Sequence, residues 1–588
     1  MEEPTRYTLA FPVAVTMRIN TYALALLAVL GAVSSGFADA SPESIRTAIQ
    51  SNLRNAALRF RAGVDDHGQL AALKAVYGAE ANPLWVRDGH STQQAAALVQ
   101  ELSAAANHGL VPGDYQAQLI AGLLEQMPRS VDLEMHDALV ARFDVLLSSA
   151  ALRFVSDLHF GRIDPAMAGF RLQTERPVLD LAATLTRLAQ ASDASAVVAS
   201  VEPQFYHYKL LEQSLAQYRR LALAQASLPT LPDRPPRRAR GETYYEGAYA
   251  LRALLQLLGD LPAGESTAAP GSRLDPPLVA ALKRFQARHG LDANGVLDSA
   301  TLAALRTPLT RRVRQIELTL ERWRWLPPFE TPPIIVNIPQ FRLFAFRSTA
   351  DRKADILQMD VIVGRSFRDM QTPVFAADMR YVIFRPYWDV PYSITMHEML
   401  PALRRNPRYL ESQHLQIVRG DDDSAVVFPP STRNLYLLAA GQLRLRQQPG
   451  RDNALGLVKF MLPNAYNVYL HSTPAQALFS NSRRAFSHGC IRVKDPVALA
   501  AHVLAGTPGD WTPERIQAAM NGTTTQRVNL ARPIRVMILY ATAMATEAGD
   551  TLFFDDLYGH DRRLEDLLDA AAISIRGEEL PPPPAAGP

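Results

Sequence analysis

Ser487-His488-Gly489-Cys490-Ile491-Arg492 holds the only cysteine of a 588-residue chain. A lone thiol beside glycine and histidine is a candidate nucleophile, because the thiolate is the reactive species and a nearby imidazole or cation draws its pKa down from about 8.5. Free cysteines are also often small buried hydrophobes, but the neighbours of Cys490 are polar or glycine rather than aliphatic. Nineteen positions upstream, His471-Ser472-Thr473-Pro474 follows the apolar run Val468-Tyr469-Leu470, which offers a base at the end of a short strand.

Around this stretch the period is strand-like. Ile334 to Ile338, Phe341 to Phe346, Met359 to Val363, Tyr381 to Phe384, Val458 to Met461, Val468 to Leu470 and Val536 to Tyr540 are short β-rich runs bounded by Pro, Asn and Gly. They predict a mostly β domain over residues 333–562. Between 395 and 455 the pattern turns helical and loop-like, with Met396 to Leu403, the acidic Asp421-Asp422-Asp423 and Tyr436 to Leu443. An insertion at this place, next to the His471 strand, is positioned to cover the site as a lid.

Residues 1–40 read as an export signal. Arg6 and Arg18 precede the apolar run Tyr22 to Val33, and Ala38-Asp39-Ala40 supplies small residues for cleavage before Ser41. Translation from Met17 gives a tidier signal than from Met1, and the alternative is an uncleaved inner-membrane anchor, although the apolar run is shorter than the roughly 20 residues that span a bilayer. A single cysteine in an exported chain excludes an intramolecular disulfide.

Residues 41–227 are rich in Ala, Leu and Gln at helical spacing, as in Ile45, Ile49 and Leu53, and predict a helical domain. Asn107-His108-Gly109-Leu110 and Leu158-His159-Phe160-Gly161-Arg162 are helix stops, and their histidines are read as structural. Prolines and arginines between Pro229 and Arg240 break all periodicity, so 228–240 is a linker. Residues 241–307 form a small three-helix unit around Leu251, Leu255, Leu278, Leu282 and Phe285, and 308–332 a connecting helix with Trp323 and Trp325. Residues 563–588 are a C-terminal tail, where the charged Asp561 to Asp566 region leads to a helical end and then to a disordered Pro581-Pro582-Pro583-Pro584.

His471-Ser-Thr-Pro followed by Arg484-Ala-Phe-Ser-His-Gly-Cys490-Ile-Arg492 resembles the signature of the L,D-transpeptidases of the YkuD fold. Val336-Asn-Ile-Pro339, Gln371-Thr-Pro373, Arg385-Pro-Tyr-Trp-Asp-Val-Pro391 and Pro463-Asn-Ala-Tyr-Asn-Val-Tyr-Leu-His471 extend the likeness to the large Gram-negative subgroup with an N-terminal scaffold. Phe285-Gln-Ala-Arg-His-Gly-Leu291, continuing to Gly295 and Thr301-Leu302, resembles a peptidoglycan-binding module. The insertion Pro262 to Gly271 departs from the compact form of that module.

The resemblance implies a multidomain α+β chain: helical scaffold, peptidoglycan-binding-like module, and a YkuD-like β-sandwich with an inserted lid. It implies Cys490 as nucleophile with His471 as base, acylation on a peptidoglycan tetrapeptide stem with loss of D-alanine, and a 3-3 cross-link to an acceptor stem. Ser487, His488, Gly489 and Arg492 are then candidates for substrate or oxyanion contacts, with backbone N–H groups at 488–490 as donors. Tyr469 and Trp388 are read as groove or core aromatics. Carbapenem-type inhibitors and cell-wall synthesis partners are expected by the same resemblance, and the location is periplasmic.

Hydrophobic content of 48% and charged content of 20% fit a globular protein, and a net charge of +3 with pI near 8.8 argues against nucleic acid as a partner. No cofactor or metal is expected. His397-Glu398-Met399-Leu400-Pro401 begins like a zinc-protease helix but has proline where the second histidine is required. A papain-like peptidase is disfavoured because the histidine precedes the cysteine. An L,D-carboxypeptidase using water as acceptor needs the same residues, and a non-catalytic wall-binding protein is disfavoured by the intact motif.

Overall fold

Four apolar cores divide the chain. The computed structural model describes residues 42–61, 67–127, 133–172, 178–234, 243–262, 273–349, 356–420 and 425–576. The expected export signal, the Arg237 to Arg240 cluster, the stretch 263–271, the triple aspartate 421–423 and the tail beyond 576 lie outside the described residues.

The first core belongs to a bundle of α1 (Pro42–Arg61), α2 (Gln69–Tyr77), α3 (Gln93–Ser103), α4 (Ala117–Gln126), α5 (Leu133–Phe160), α6 (Leu181–Gln190) and α7 (Ala194–Val201). A small ribbon, β1 (Val86–Arg87) and β2 (His90–Ser91), presents Trp85 to it. Thr92, Asp180 and Asp193 cap α3, α6 and α7 by accepting first-turn N–H groups. After α8 (Tyr206–Gln225), a second core gathers α9 (Ala248–Leu257), α10 (Pro276–Arg288) and α11 (Ser299–Arg306) around Leu251, Leu282 and Phe285. Leu228 and Leu231 of the linker pack on this module.

The connecting helix α12 (Leu309–Arg324) is the axis of the molecule. The helical domain expected over 41–227 divides here: Tyr208, Leu211 and Leu215 of α8 are buried with α12 in the core of the β domain, apart from the α1–α7 core. The sequence break near 227 marks a linker, whereas α8 follows the apolar face offered by α12. At the other junction Gly161, with φ of +80°, closes α5 against α12. A Cβ there would lie 2.6 Å from Trp325 Nε1 and 2.9 Å from Glu321 Oε1.

The β domain is built from β3 (Ile334–Asn337), β4 (Arg342–Ala345), β5 (Leu357–Gly364) and β6 (Phe375–Phe384) before an insertion, and continues after it. The insertion runs through β7 (Trp388–Asp389), α13 (Tyr392–Ile394), a π-helical turn at Thr395–Met399, α14 (Leu400–Arg405), α15 (Tyr409–Ser412), β8 (Leu415–Arg419), β9 (Val426–Phe428), α16 (Thr432–Ala439) and β10 (Arg444–Gln447). Expected as helix and loop from 395, it starts with Trp388 and holds a four-stranded sheet, β7-β10-β8-β9, over its own core of Leu400, Leu403, Ile417 and Leu445. Its strands escape a periodicity reading because Arg444 and Arg446 interrupt the apolar pattern; both pair with Asp389, at 3.0 and 2.9 Å.

The domain resumes with β11 (Val458–Met461), β12 (Leu470–His471), β13 (Ala485–Ser487), β14 (Ile491–Val493), α17 (Pro496–Val503), α18 (Pro513–Asn521) and β15 (Gln526–Leu539). The main sheet has the order β13-β5-β14-β12-β11-β6-β15-β3-β4, and β4 also pairs with β5, so the sheet comes round on itself. A hairpin of β16 (Ala543–Ala545) and β17 (Thr551–Phe553) leads to α19 (His560–Arg576). The helical end expected with the charged Asp561 to Asp566 region is α19, which runs to 576. Leu564 and Leu568 are buried, and Asp561 and Glu565 bond Arg322 and Arg311 of α12, each at 2.6 Å.

Buried charge ties the scaffold to α12. Glu321 accepts the backbone N–H of Arg162 and Ile163 at 2.5 and 3.1 Å. Arg324, fully buried, bonds Tyr208 Oη at 3.1 Å and the His108 carbonyl. The His108 ring itself meets Glu202 at 2.6 Å and Glu212 at 3.1 Å, and Lys209 bonds both carboxylates. Burial opposes a charge on His108, but the two glutamates prevail and push its pKa up to about 9; against burial, His108 helps hold Glu202 down at about 2. The stabilisation from His108 is complete below about 6.5 and fades as pH rises through about 9, while that from Glu202 is present above about 4.5. His108→Gln should thus cost about 1–3 kcal/mol near pH 5–6.5, with the deficit shrinking towards pH 10. Urea unfolding of both proteins across this range checks it, and a pH-independent deficit would contradict it.

Candidate active site

The site is one face of three neighbouring strands. β12 and β14 run parallel with Leu470 opposite Ile491 and His471 opposite Arg492. Alternation then puts Leu470 and Ile491, both fully buried, into the core. Tyr469, His471, Cys490 and Arg492 take the opposite face, and Lys459 joins them because it pairs with His471 from β11. The Ile491 N–H donates to the Tyr469 carbonyl at 3.1 Å, which fixes Tyr469 beside Cys490. His471 is thus the diagonal neighbour of the cysteine.

The turn between β13 and β14 presents the sulfur. Gly489, buried with φ of +115°, adopts a conformation that side-chain-bearing residues rarely take. The Ser487 hydroxyl donates to the Cys490 carbonyl at 2.5 Å and accepts from the Gly489 N–H at 3.1 Å. Thr372 Oγ1 donates to the Gly489 carbonyl at 2.8 Å and accepts from the Gly364 N–H at 2.8 Å. Tyr558 in turn donates to the Gly364 carbonyl at 2.6 Å. Arg484, at the head of the motif, is an anchor: it donates to the carbonyls of Val361, Phe341 and Asn481 and pairs with Asp360.

Cys490 is half-buried, and its thiol donates to the Asn467 carbonyl at 3.7 Å. Burial pushes the thiol pKa above its ordinary value, opposed by hydrogen bonds from the Tyr469 N–H and hydroxyl and by the charges of Lys459 and Arg492. The Tyr469 hydroxyl also meets Trp388, and Lys459 Nζ sits 3.8 Å from the centre of the Tyr469 ring. Tyr469 and Trp388, read from sequence as groove or core aromatics, therefore belong to the hydrogen-bonding shell of the sulfur. Lys459 was not identified from sequence at all. Strand alternation from His471 marks Tyr469 two residues before it; Lys459 needs the strand pairing to be seen.

His471 is buried, and its Nδ1 lies 2.6 Å from the Ser472 carbonyl, which can only accept. That carbonyl favours the proton on Nδ1, and the Leu455 carbonyl is a second backbone acceptor at this ring. Burial first, then the positive charge of Arg492, lowers the His471 pKa to about 3, so the ring is neutral at working pH. Among the described residues no hydrogen bond joins this imidazole to the thiol, which points to Asn467. Arg492 has a buried Nε without a hydrogen-bond partner, and its positive charge is felt at Cys490.

His488 turns away from the sulfur towards the lid: its Nε2 lies 2.6 Å from Glu398 Oε1 in the π-helical turn. The glutamate of the incomplete zinc motif is thereby engaged, and His397 Nδ1 bonds the Ser393 carbonyl. Among the described residues, a metal-like cluster occurs at His108, Glu202 and Glu212, where Lys209 already bonds both glutamates.

The site therefore rests as a neutral thiol beside a neutral imidazole. Since the thiol pKa is raised, alkylation of Cys490 by iodoacetamide should climb through pH 8 and beyond the half-point of about 8.5 typical of a free thiol. Tyr469→Phe, which removes a thiolate-stabilising bond, should move the half-point further up. A rate already flat at neutral pH would contradict this resting state.

Comparison with known proteins accords with this geometry. Residues 332–510 match the YkuD family model, described as an L,D-transpeptidase catalytic domain. Residues 71–215 match one described as a scaffold domain, and 245–305 one described as "Putative peptidoglycan binding domain". A protein of Haemophilus influenzae named "Putative L,D-transpeptidase" is 32% identical over 251 residues, covering 43% of this chain and 49% of that protein. The chain thus spans about half the length of this curated relative. It carries a YkuD-type L,D-transpeptidase catalytic domain, joined to a scaffold domain and a peptidoglycan-binding-type domain.

Proposed function

We propose that this protein is a cysteine-dependent L,D-transpeptidase that acylates on peptidoglycan tetrapeptide stems, releases D-alanine and forms 3-3 cross-links in the periplasm. The observation that carries this reading is the shared strand face: a thiol, a neutral imidazole, and a cation with an unpartnered Nε stand together on β12 and β14.

Cys490 swings from the Asn467 carbonyl towards His471, whose Nε2 takes the thiol proton as sulfur attacks the stem carbonyl. The S–C bond forms, and the carbonyl electron pair moves onto oxygen. Because the Gly489 N–H is held by Ser487, the N–H groups of His488 and Cys490 are the donors left for this oxyanion. On collapse the C–N bond to D-alanine breaks, and the imidazolium returns its proton to the departing amine. The thioester is resolved by the amine of an acceptor stem: its nitrogen forms the new C–N bond, its proton passes to His471, and the S–C bond breaks as His471 returns that proton to sulfur. Tyr469 and Lys459 stabilise the transient thiolate, and Arg492 receives a substrate carboxylate. Carbapenem-type acylating agents would modify the same sulfur, and cell-wall synthesis proteins would be its working partners.

Mass spectrometry of the products formed by the full chain from disaccharide-tetrapeptide tests the reading. Dimers joined through two diamino acids are expected, and Cys490→Ala should reduce them by more than about 10³-fold. Tyr469→Phe should lower kcat about 10- to 100-fold, whereas Arg492→Gln should act mainly on KM. Tripeptide without dimers would establish an L,D-carboxypeptidase instead, and turnover retained in Cys490→Ala would contradict the mechanism.

A further inference from the structure

Between the three-helix module and the catalytic domain lies a cavity of about 310 Å³ whose walls come from both. The module contributes Ala287, His289, Gly290 and Leu291, the phrase by which its sequence resembles a peptidoglycan-binding unit. The opposite wall includes Arg342, Arg483 and Arg484. This phrase therefore borders the cavity, with Ala287 and Gly290 exposed at its rim and His289 buried behind them.

The walls are held in place. His289 is buried and stacked between Phe285 and Phe553, with ring centres 3.8 and 5.6 Å away. Arg288 bonds Asp260, the Tyr218 hydroxyl and the Thr551 carbonyl, tying the module to α8 and to the β16–β17 hairpin. The module is thus locked with its motif against the cavity, and a ligand entering there meets both domains.

The charge of the cavity is unbalanced. Three arginines face two carboxylates, Asp360 and Asp555. Asp360 is further claimed by Lys494: Arg342, Arg484 and Lys494 reach it at 3.0, 3.1 and 3.0 Å. Arg484 is spent on the backbone anchors already described. Arg483 is exposed, with one long bond to Ser366 Oγ at 3.4 Å, and no carboxylate pairs with it among the described residues. It is the cation available to an incoming anion.

We propose that this cavity is a second binding site, for a carboxylate-bearing glycopeptide of the wall, separate from the Cys490 groove. Its position follows from β5, which has Asp360 at the cavity and Gly364 at the catalytic turn, about 13 Å apart at strand rise. From the cavity wall, Arg483 and Arg484 run directly into β13 and so to Cys490. A polymer held by Arg483 would lie alongside the site that cuts and joins its stems. Its identification as peptidoglycan rests on the reading under Proposed function; its preference for a carboxylate rests on the arginines.

The test is co-sedimentation of the full chain with purified peptidoglycan sacculi, in a Cys490→Ala background so that no covalent adduct forms. Arg483→Glu should weaken binding at least about tenfold and flatten its salt dependence, and Arg483→Lys should restore most of it. Sacculi with carboxyl groups amidated should bind like the Arg483→Glu case. With Cys490 present, Arg483→Glu should leave the iodoacetamide alkylation rate unchanged, which separates loss of binding from loss of fold. Equal binding by Arg483→Glu, equal binding to amidated sacculi, or no binding by the parent protein would each overturn the proposal. Arg483-dependent binding in that background, together with no cross-linked product from the chain that keeps Cys490, would refute the transpeptidase reading alone.

Discussion

Two parallel strands two and three residues long, Leu470–His471 and Ile491–Val493, hold the candidate site together because their pairing leaves no freedom in what shares a face. A shift of one residue would send His471 into the core and Leu470 to the groove. The register is secured from below by Leu470 and Ile491, each without exposed surface, and from the side by Lys459 and Phe460 on β11. Everything at the sulfur follows from that offset: Tyr469 beside it, His471 on the diagonal, Arg492 one pleat further on.

The turn that delivers the cysteine is held by hydrogen bonds rather than by apolar packing. Ser487, Thr372 and Tyr558 form a chain from the catalytic loop to the segment after β17, so the C-terminal part of the domain helps to set the position of Gly489. The lid enters through two contacts of different kinds. Trp388, on its first strand, meets the Tyr469 hydroxyl, while Glu398 takes the His488 ring. Removal of the lid would therefore disturb both sides of the turn. Behind the sheet, α12 connects this domain to the scaffold through Glu321 and Arg324, two charges buried without exposure and paired with each other at 3.2 Å.

Much of this was legible in the residues. The short runs at 334, 341, 359, 458 and 536 are strands, and His471 stands at the end of a short strand, while the face it shares with Cys490 comes from the pairing of β12 with β14. What escaped depends on partners distant in sequence. Lys459 lies in a run read correctly as a strand, yet its place at the sulfur needs the pairing with His471. The start of β15, Gln526 to Asn529, has one apolar residue in four and is held by ladder bonds to Tyr381–Phe384 of β6. Likewise the helical end at α19 is expected from the residues, but its pairing through Asp561 and Glu565 with arginines of α12 depends on the fold. The lid strands are only two to five residues long, too short to signal themselves, and they stand as a sheet over a common core.

The central claim is that Cys490, on this strand face, forms the covalent bond to the stem. The most direct measurement is peptide-mapping mass spectrometry of the full chain quenched in acid during turnover of disaccharide-tetrapeptide. The account predicts a thioester adduct on the peptide containing Cys490, with the mass of the stem less D-alanine. Product formation with no adduct on that peptide, or with the adduct on another residue, would contradict it.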